Sequence, residues 1–286
     1  MDNALRDAIQ ATAGHPGPIG VFDSGYGGLT ILREIRRALP DADYIYLGDN
    51  ARAPYGTRSF DSVYHFTLQA VEYLFAQGCQ LVILACNTAS AKALRTIQQR
   101  DLPSIDPQRR VLGVIRPTAE SIGAITRNGH VGLFGTPGTV ASGSYDMELA
   151  KLHPHIHLTS HACPMWVPLV ENREADGDGA DYFIRNDIEA LFSADPDIDT
   201  VILGCTHYPL LLDKICKYIP EGTHIFNQGE TVARSLLDYL RRHPDMDRRI
   251  TRNSRTEYLT TGQPGEFSSL ATLFIGNDVD SRMIIL

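Results

Sequence analysis

No stretch of this sequence is apolar for longer than the six residues Leu81 to Cys86, far short of the ~20 that a membrane-spanning helix needs. Basic runs are also missing, and the formal charge is −8, from 26 Lys and Arg against 34 Asp and Glu. A nucleic-acid or anionic-membrane partner is therefore disfavoured. The opening MDNALRDAIQATAG holds acids and no apolar segment, so an export signal is not expected. No disulfide framework can be read either. Cysteines number five, an odd count in a chain without an export signal, which points to reduced thiols and a cytoplasmic setting. What is present is an ordinary globular composition, 43% hydrophobic and 21% charged over 286 residues. That suffices to bury a sizeable core, in two ordinary domains rather than one large one.

Short apolar, β-rich runs alternate with helical patterns along the chain. Ile19 to Phe22 reads as a strand, followed by the glycine-rich DSGYGG. LTILREIRRAL then puts Leu29, Leu32, Ile35 and Leu39 on one face of a helix that Pro40 ends. Tyr44 to Leu47 reads as a second strand, leading into the polar loop GDNARAPYGTRS. Ser59 suits the N-cap of a helix running to about Ala76, with Gly78 as its stop. Leu81 to Ala85 is apolar on both faces, as a central strand of a parallel sheet must be. The alternation continues and predicts an α/β, doubly wound architecture.

The chain also repeats itself. IGVFDS at Ile19 matches VGLFGT at Val131, YIYL at Tyr44 matches HIHL at His155, and VILAC at Val82 matches VILGC at Val201. Apolar strands look alike, so each match alone is weak and coincidence is the plain alternative. Three in the same order at nearly constant spacing read as two similar doubly wound α/β domains related by pseudo-two-fold symmetry. The crossovers fall near Arg116-Pro117 and Asn227-Gln228-Gly229. On this reading residues 1–116 with 230–286 form the first domain, and residues 117–229 the second.

Ligands in doubly wound folds bind at the carboxyl ends of strands. Four polar clusters fall there: Asp23-Ser24-Gly25, Gly48-Asp49 leading to Pro54-Tyr55-Gly56, Cys86-Asn87-Thr88, and Cys205-Thr206-His207. The last two are equivalent under the repeat, so halves that face each other bring two thiols to one cleft from opposite sides. Opposed thiols suit the inversion of a carbon bearing hydrogen, which needs a base on one face and an acid on the other. Cysteine fills either role, because an ordinary pKa of about 8.5 leaves thiol and thiolate both accessible near neutrality. Asp23 and His207 are the proton-handling side chains in the same loops. Ser24, Asn87, Thr88 and Thr206, with backbone N–H groups, offer donors for a substrate carboxylate.

Plainer readings stand beside these. A buried cysteine at a strand end is usually a small packing residue, which is the reading kept for Cys79, Cys163 and Cys216. Polar neighbours set Cys86 and Cys205 apart. A disulfide between them is disfavoured by the compartment. No C-x-x-C or H-x-x-x-H pair is read here and Cys205/His207 is an unusual chelating spacing, so no metal site is expected. His207 alone has a plainer, less favoured reading as a cap or a residue bonded to backbone. DSGYGG lacks the dinucleotide-binding glycine spacing and the P-loop lysine. Lys92 reads as a solvated helix lysine rather than a pyridoxal phosphate lysine, and Trp166 carries no signal.

IGVFDSGYGGLTILREI, YLGDNARAPYGTRS, VILACNTASA and VILGCTHYPLL, in that order from Ile19 to about Leu212, resemble the hallmark blocks of bacterial glutamate racemases, in the aspartate/glutamate racemase family. GLFGTPGTVASGSY at Gly132, HACPMWVPLVE at His161 and YLTTG at Tyr258 extend the resemblance over nearly the whole chain. It implies a two-domain α/β fold with the active site in the cleft between the halves. It also implies interconversion of L- and D-glutamate without cofactor or metal, supplying D-glutamate for peptidoglycan. Carried over, Cys86 and Cys205 are the implied acid/base pair, Cys86 acting on D-glutamate and Cys205 on L-glutamate. Asp23 and His207 are implied to assist them, with Glu171 as a further helper. Asp23-Ser24, Tyr55-Gly56, Asn87-Thr88 and Thr206-His207 are the implied contacts with the substrate glutamate, joined by Thr136 and Thr139.

Two features depart from the family pattern. Asn227-Gln228-Gly229 stands where many members have an Asp-Ser-Gly-like turn, and Gly138 where Ala is common. Both lie outside the cysteine blocks. Some members carry N-terminal extensions and respond to a peptidoglycan precursor, and the seventeen residues before Pro18 do not decide that here. A homodimer is likewise left open. The alternatives to a glutamate racemase are a related racemase of aspartate or hydantoins, and a non-catalytic amino-acid-binding regulatory protein. Retention of both thiols favours catalysis, since binding alone needs neither.

Overall fold

The computed structural model describes residues 3–276 and 278–286. Of the opening stretch, residues 1–2 lie outside that range and Asn3–Ala11 is a helix. The strands are β1 (Ile19–Asp23), β2 (Tyr44–Gly48), β3 (Leu81–Leu84), β4 (Arg110–Gly113), β5 (His130–Gly135), β6 (His157–Ala162), β7 (Thr200–Gly204), β8 (His224–Phe226), β9 (Thr256–Thr260) and β10 (Ser281–Met283). They form two sheets, ordered β10-β9-β2-β1-β3-β4 and β6-β5-β7-β8. Every pairing is parallel. β1, β2, β3 and β7 are buried at every position, which is why they read as continuous apolar runs rather than as alternating ones.

The expected repeat is visible in the topology. β2-β1-β3-β4 and β6-β5-β7-β8 follow the same order. Gly20 pairs with Val82 as Gly132 pairs with Val201, so the matches at Ile19/Val131 and Val82/Val201 hold residue for residue. The match of YIYL with HIHL does not. Ile19 pairs with Tyr44, whereas Val131 pairs with Leu158, so Tyr44 corresponds to Leu158 rather than to His155. β2 is buried throughout, but β6 is an edge strand partly exposed along its length. A pattern with no fully buried face specifies register weakly, and the sequence alignment slips there.

The helices follow from their end signals. Leu29–Ala38 buries Ile31, Leu32 and Ile35 and stops before Pro40. Ser59 Oγ accepts the Ser62 N–H at 3.1 Å and caps the helix Phe60–Ala76, a contact worth about 1 kcal/mol. Gly78, at φ +93°, then turns the chain toward β3. Among the described residues no helix is long and apolar enough to cross a membrane.

One apolar cluster covers a face of the first sheet through Leu29, Ile35 and Tyr46 and continues into the second sheet through Leu203, Trp166 and Tyr208. Val63, Leu74, Phe75 and Val82 pack the opposite face of the first sheet, and Ile115, Leu133, Tyr145 and Ile202 that of the second. Wholly buried Arg109 ties the first helix to this core, donating to the carbonyls of Ile9 (2.9 Å), Cys79 (3.1 Å) and Phe75. The chain crosses between sheets in helices. Ile115–Ile122, which contains Arg116 and Pro117, precedes β5, and Gln228–Arg242 packs on Leu29–Ala38 before β9.

Candidate active site

The strand ends carry the polar clusters that the sequence singles out. Asp23 closes β1, Cys86 follows β3 and Cys205 follows β7. Cys86 is the N-cap of the helix Asn87–Lys92, its sulfur accepting the Ala89 N–H at 3.4 Å and lying 3.6 Å from Ser24 Oγ. Burial pushes the Cys86 thiol up to about 12 and the Asp23 carboxylate adds to the effect, while Ala89 N–H and Ser24 oppose it. Cys205 is close enough to contribute in the same upward direction. The fold thus brings the two sulfurs, from opposite sheets, within range of each other's charge.

Cys205 Sγ lies 3.8 Å from His207 Nδ1, and His207 Nε2 lies 2.9 Å from Glu171 Oε1. Burial alone lowers the His207 pKa, but its contacts with Cys205 and Glu171 outweigh burial and hold it at about 10. At neutral pH the ring is an imidazolium between a sulfur and a carboxylate, with both nitrogens donating. Asp23 is wholly buried, and desolvation raises its pKa against the pull of the His207 charge. Its Oδ2 accepts the Gly25 N–H at 2.9 Å. Its Oδ1 is buried without a hydrogen-bond partner among the described residues.

Glycines let the halves meet. A Cβ on Gly27 would lie 2.1 Å from Thr206 Oγ1 and 2.5 Å from His207 Nδ1. Thr30 Oγ1 donates to the Thr206 carbonyl at 3.2 Å across the same junction. In the DSGYGG loop Gly27 therefore serves close approach to the second half, while Gly28 makes room for Asp23 and Ala85 of its own half. At the other flank, Gly138 N–H donates to Gly56 O at 2.7 Å. Thr88 Oγ1 lies 2.9 Å from Thr136 Oγ1 and 3.3 Å from Thr139 Oγ1.

Asp23, Ser24, Cys86, Cys205, Thr206 and His207 come together around the two sulfurs, with Glu171 behind His207. Gly56, Thr88, Thr136 and Thr139 form the adjoining wall. Two other side chains are directed elsewhere. The Tyr55 hydroxyl donates to Asp49, which also accepts from Arg52 at 2.7 Å and Thr261 at 2.8 Å. The Asn87 carboxamide is taken up by Gln228 (2.8 and 3.2 Å) and the Tyr145 hydroxyl (2.7 Å). Gln228 also donates to Thr118 Oγ1 at 2.8 Å. Tyr145 and Thr118 carry no sequence signal, and Gln228 is marked only by its departure from the family turn.

Three further expectations meet the structure. Cys79 and Cys163 are buried as packing residues, but Cys216 is exposed, because Ile215 takes the inward position on the short helix Leu212–Tyr218. Lys92 is half-buried and donates to the Arg58 carbonyl at 2.7 Å rather than projecting freely into solvent. Trp166 is fully buried, in ring contact with Phe134 and Tyr208 at 4.9 and 4.8 Å.

Fold and site define an α/β protein with two parallel sheets that share a four-strand order and paired thiols at matching strand ends. Residues 19–235 match the Asp/Glu/Hydantoin racemase family, and the chain belongs to it. It is 42% identical over 277 residues to the glutamate racemase of Roseobacter denitrificans, covering 92% of this chain and 98% of that protein. A crystal structure of a Bacillus anthracis glutamate racemase isoform superposes with a TM-score of 0.85 at 36% identity, covering 94% of this chain and 98% of that one. The Francisella tularensis glutamate racemase, solved in complex with D-glutamate, gives a TM-score of 0.81 at 30% identity with the same coverage.

Proposed function

We propose that this protein interconverts L- and D-glutamate by moving the α-proton between Cys86 and Cys205, with no cofactor, and so supplies D-glutamate for peptidoglycan. One observation carries the reading: two buried thiols end equivalent strands, and each has its own set of titratable partners. As a thiolate, one cysteine takes the α-proton. The other, as a thiol, gives its proton to the opposite face, and the pair is left with exchanged roles. Burial and Asp23 favour the neutral Cys86 thiol, the donor when L-glutamate is the substrate. The His207 imidazolium lies 3.8 Å from the Cys205 sulfur that abstracts the proton. In the reverse direction the substrate ammonium, drawn into a buried site, offsets the cost of ionising Cys86. Ser24, Thr88 and Thr206 supply hydroxyls for the substrate carboxylates, and Glu171 keeps His207 oriented. We divide the chain into domains at 1–116 with 230–286 and at 117–229, supported by the pairing of β9 with β2.

The test separates the thiols by direction. Cys86→Ser and Cys205→Ser should each abolish racemisation of glutamate followed by circular dichroism. With 3-chloroglutamate, loss of chloride follows α-proton removal and needs only the abstracting base. Cys86→Ser should then eliminate from the L enantiomer alone and Cys205→Ser from the D enantiomer alone. Two variants failing equally on both enantiomers would overturn the reading. Aspartate, shorter by one methylene, is expected to turn over at least ~10-fold more slowly than glutamate.

A further inference from the structure

We propose that His130, His157 and Asp195 form a divalent transition-metal site at the end of the second sheet opposite the cysteines. The expectation of no metal fails on the histidines: 153/157 and 157/161 are both H-x-x-x-H pairs, and the fold adds His130 beside them. His130 opens β5 and His157 opens β6, and the two are register partners in the parallel pair. Register partners project from the same face, and here the ring centroids are 5.5 Å apart. Asp195 follows the helix Asp178–Ala194. Its Oδ2 lies 2.9 Å from His130 Nδ1 and 3.9 Å from His157 Nε2.

Those spacings suit an ion. Bonds of about 2.0–2.2 Å to imidazole and carboxylate set neighbouring donors roughly 3 Å apart, so one contact must open slightly and the other close. The carboxylate is already oriented: Asp197 N–H donates to Asp195 Oδ1 at 3.1 Å and Thr159 Oγ1 to Oδ2 at 3.3 Å. Asp197 joins His130 and Asp195 in a group whose donor atoms lie within 4.8 Å of one another, and His157 borders that group through its 3.9 Å approach to Asp195. Asp195 and Asp197 together balance a dication held by two neutral imidazoles. Asp195 is buried while His157 is exposed, so the ion has an anchored ligand and an open approach.

A second cluster, His161, Cys163 and Asp187, also has ligand spacing. Its thiol is held well above the ordinary range by burial, with Asp187 adding to the shift. His130 is likewise held above its ordinary value by the hydrogen bond to Asp195, so either cluster binds in exchange for a proton. What separates them is that two imidazoles meet at one and a single imidazole with a thiol at the other, so an ion that favours imidazole goes to the His130/His157 pair.

The ion would join β5, β6 and the 178–194 helix end, about 15–20 Å along the strands from the thiols, so its effect falls on stability rather than on turnover. The test titrates tag-free full-length protein with Ni²⁺ at pH 7 by calorimetry. One ion per chain is expected, with a rise in Tm. His157→Ala, at an exposed position that leaves the His130–Asp195 bond intact, should weaken binding at least ~10-fold and abolish the Tm rise. Its metal-free Tm and far-UV spectrum report that it folds. Cys163→Ser should bind Ni²⁺ as the parent does. No saturable binding, unchanged affinity in His157→Ala, or loss of binding in Cys163→Ser would each overturn the site.

Discussion

His207 is a side chain whose burial opposes its charge and whose neighbours, Cys205 and Glu171, together restore it. Its pKa in the fold, about 10, stands above the ordinary 6.5, so the protonated ring contributes stability that is full below pH 6.5 and is lost as pH rises through about 10. Cys86 has the same sign: raised from 9.0 to about 12, its contribution is full below pH 9 and lost on the way to 12. Tm should therefore fall between pH 7 and 10, and His207→Asn should flatten that fall in scanning calorimetry. Equal slopes in parent and variant would mean that His207 is not charged in the fold. At this scale the sequence is legible where chemistry is local. Cys86 and Cys205 stand out because hydroxyl, amide and imidazole groups flank them. The destination of the Asn87 carboxamide is not legible, because its partner Gln228 lies 141 residues away. Nor is the exposure of Cys216, which depends on which face of a two-turn helix meets the core.

Elements carry the next level of information. Gln228 sits in the first turn of the helix Gln228–Arg242 and reaches Asn87, Thr118 and Tyr145 together. It links the loop that holds Cys86 to two helices of the second sheet. Gln228→Ala leaves buried groups on Asn87 and Tyr145 short of partners, at a cost of about 1–3 kcal/mol, read from urea denaturation. Because Asn87 adjoins Cys86, kcat should drop while KM changes little; an unchanged kcat would separate the network from the chemistry. Strands with two buried faces, β1, β3 and β7, are legible from composition and position alone. β6 is not, because an edge strand with partial exposure offers a pattern that fits more than one register.

On the scale of the whole molecule, the duplicated topology is legible because equivalent central strands keep equivalent apolar runs. The contact between the halves is not, since it depends on what a glycine lacks. Gly27 is the sharpest case: its missing side chain admits Thr206 and His207. Gly27→Ala must push the two loops apart, and a displacement near 1 Å at reacting groups costs about 100-fold in rate. Steady-state racemisation by a variant that keeps its far-UV spectrum measures this, and parental turnover would show that the loops yield freely. The order of strands also bears on how the chain is made. Residues 130–226 contain every strand of the second sheet, so that sheet has all its members once β8 leaves the ribosome. The first sheet does not. β2 lies between β1 and β9, and until Thr256–Thr260 has been synthesised its outer edge has no neighbour. The half begun first is the half finished last, and the nascent chain carries an open, apolar parallel edge through most of its synthesis.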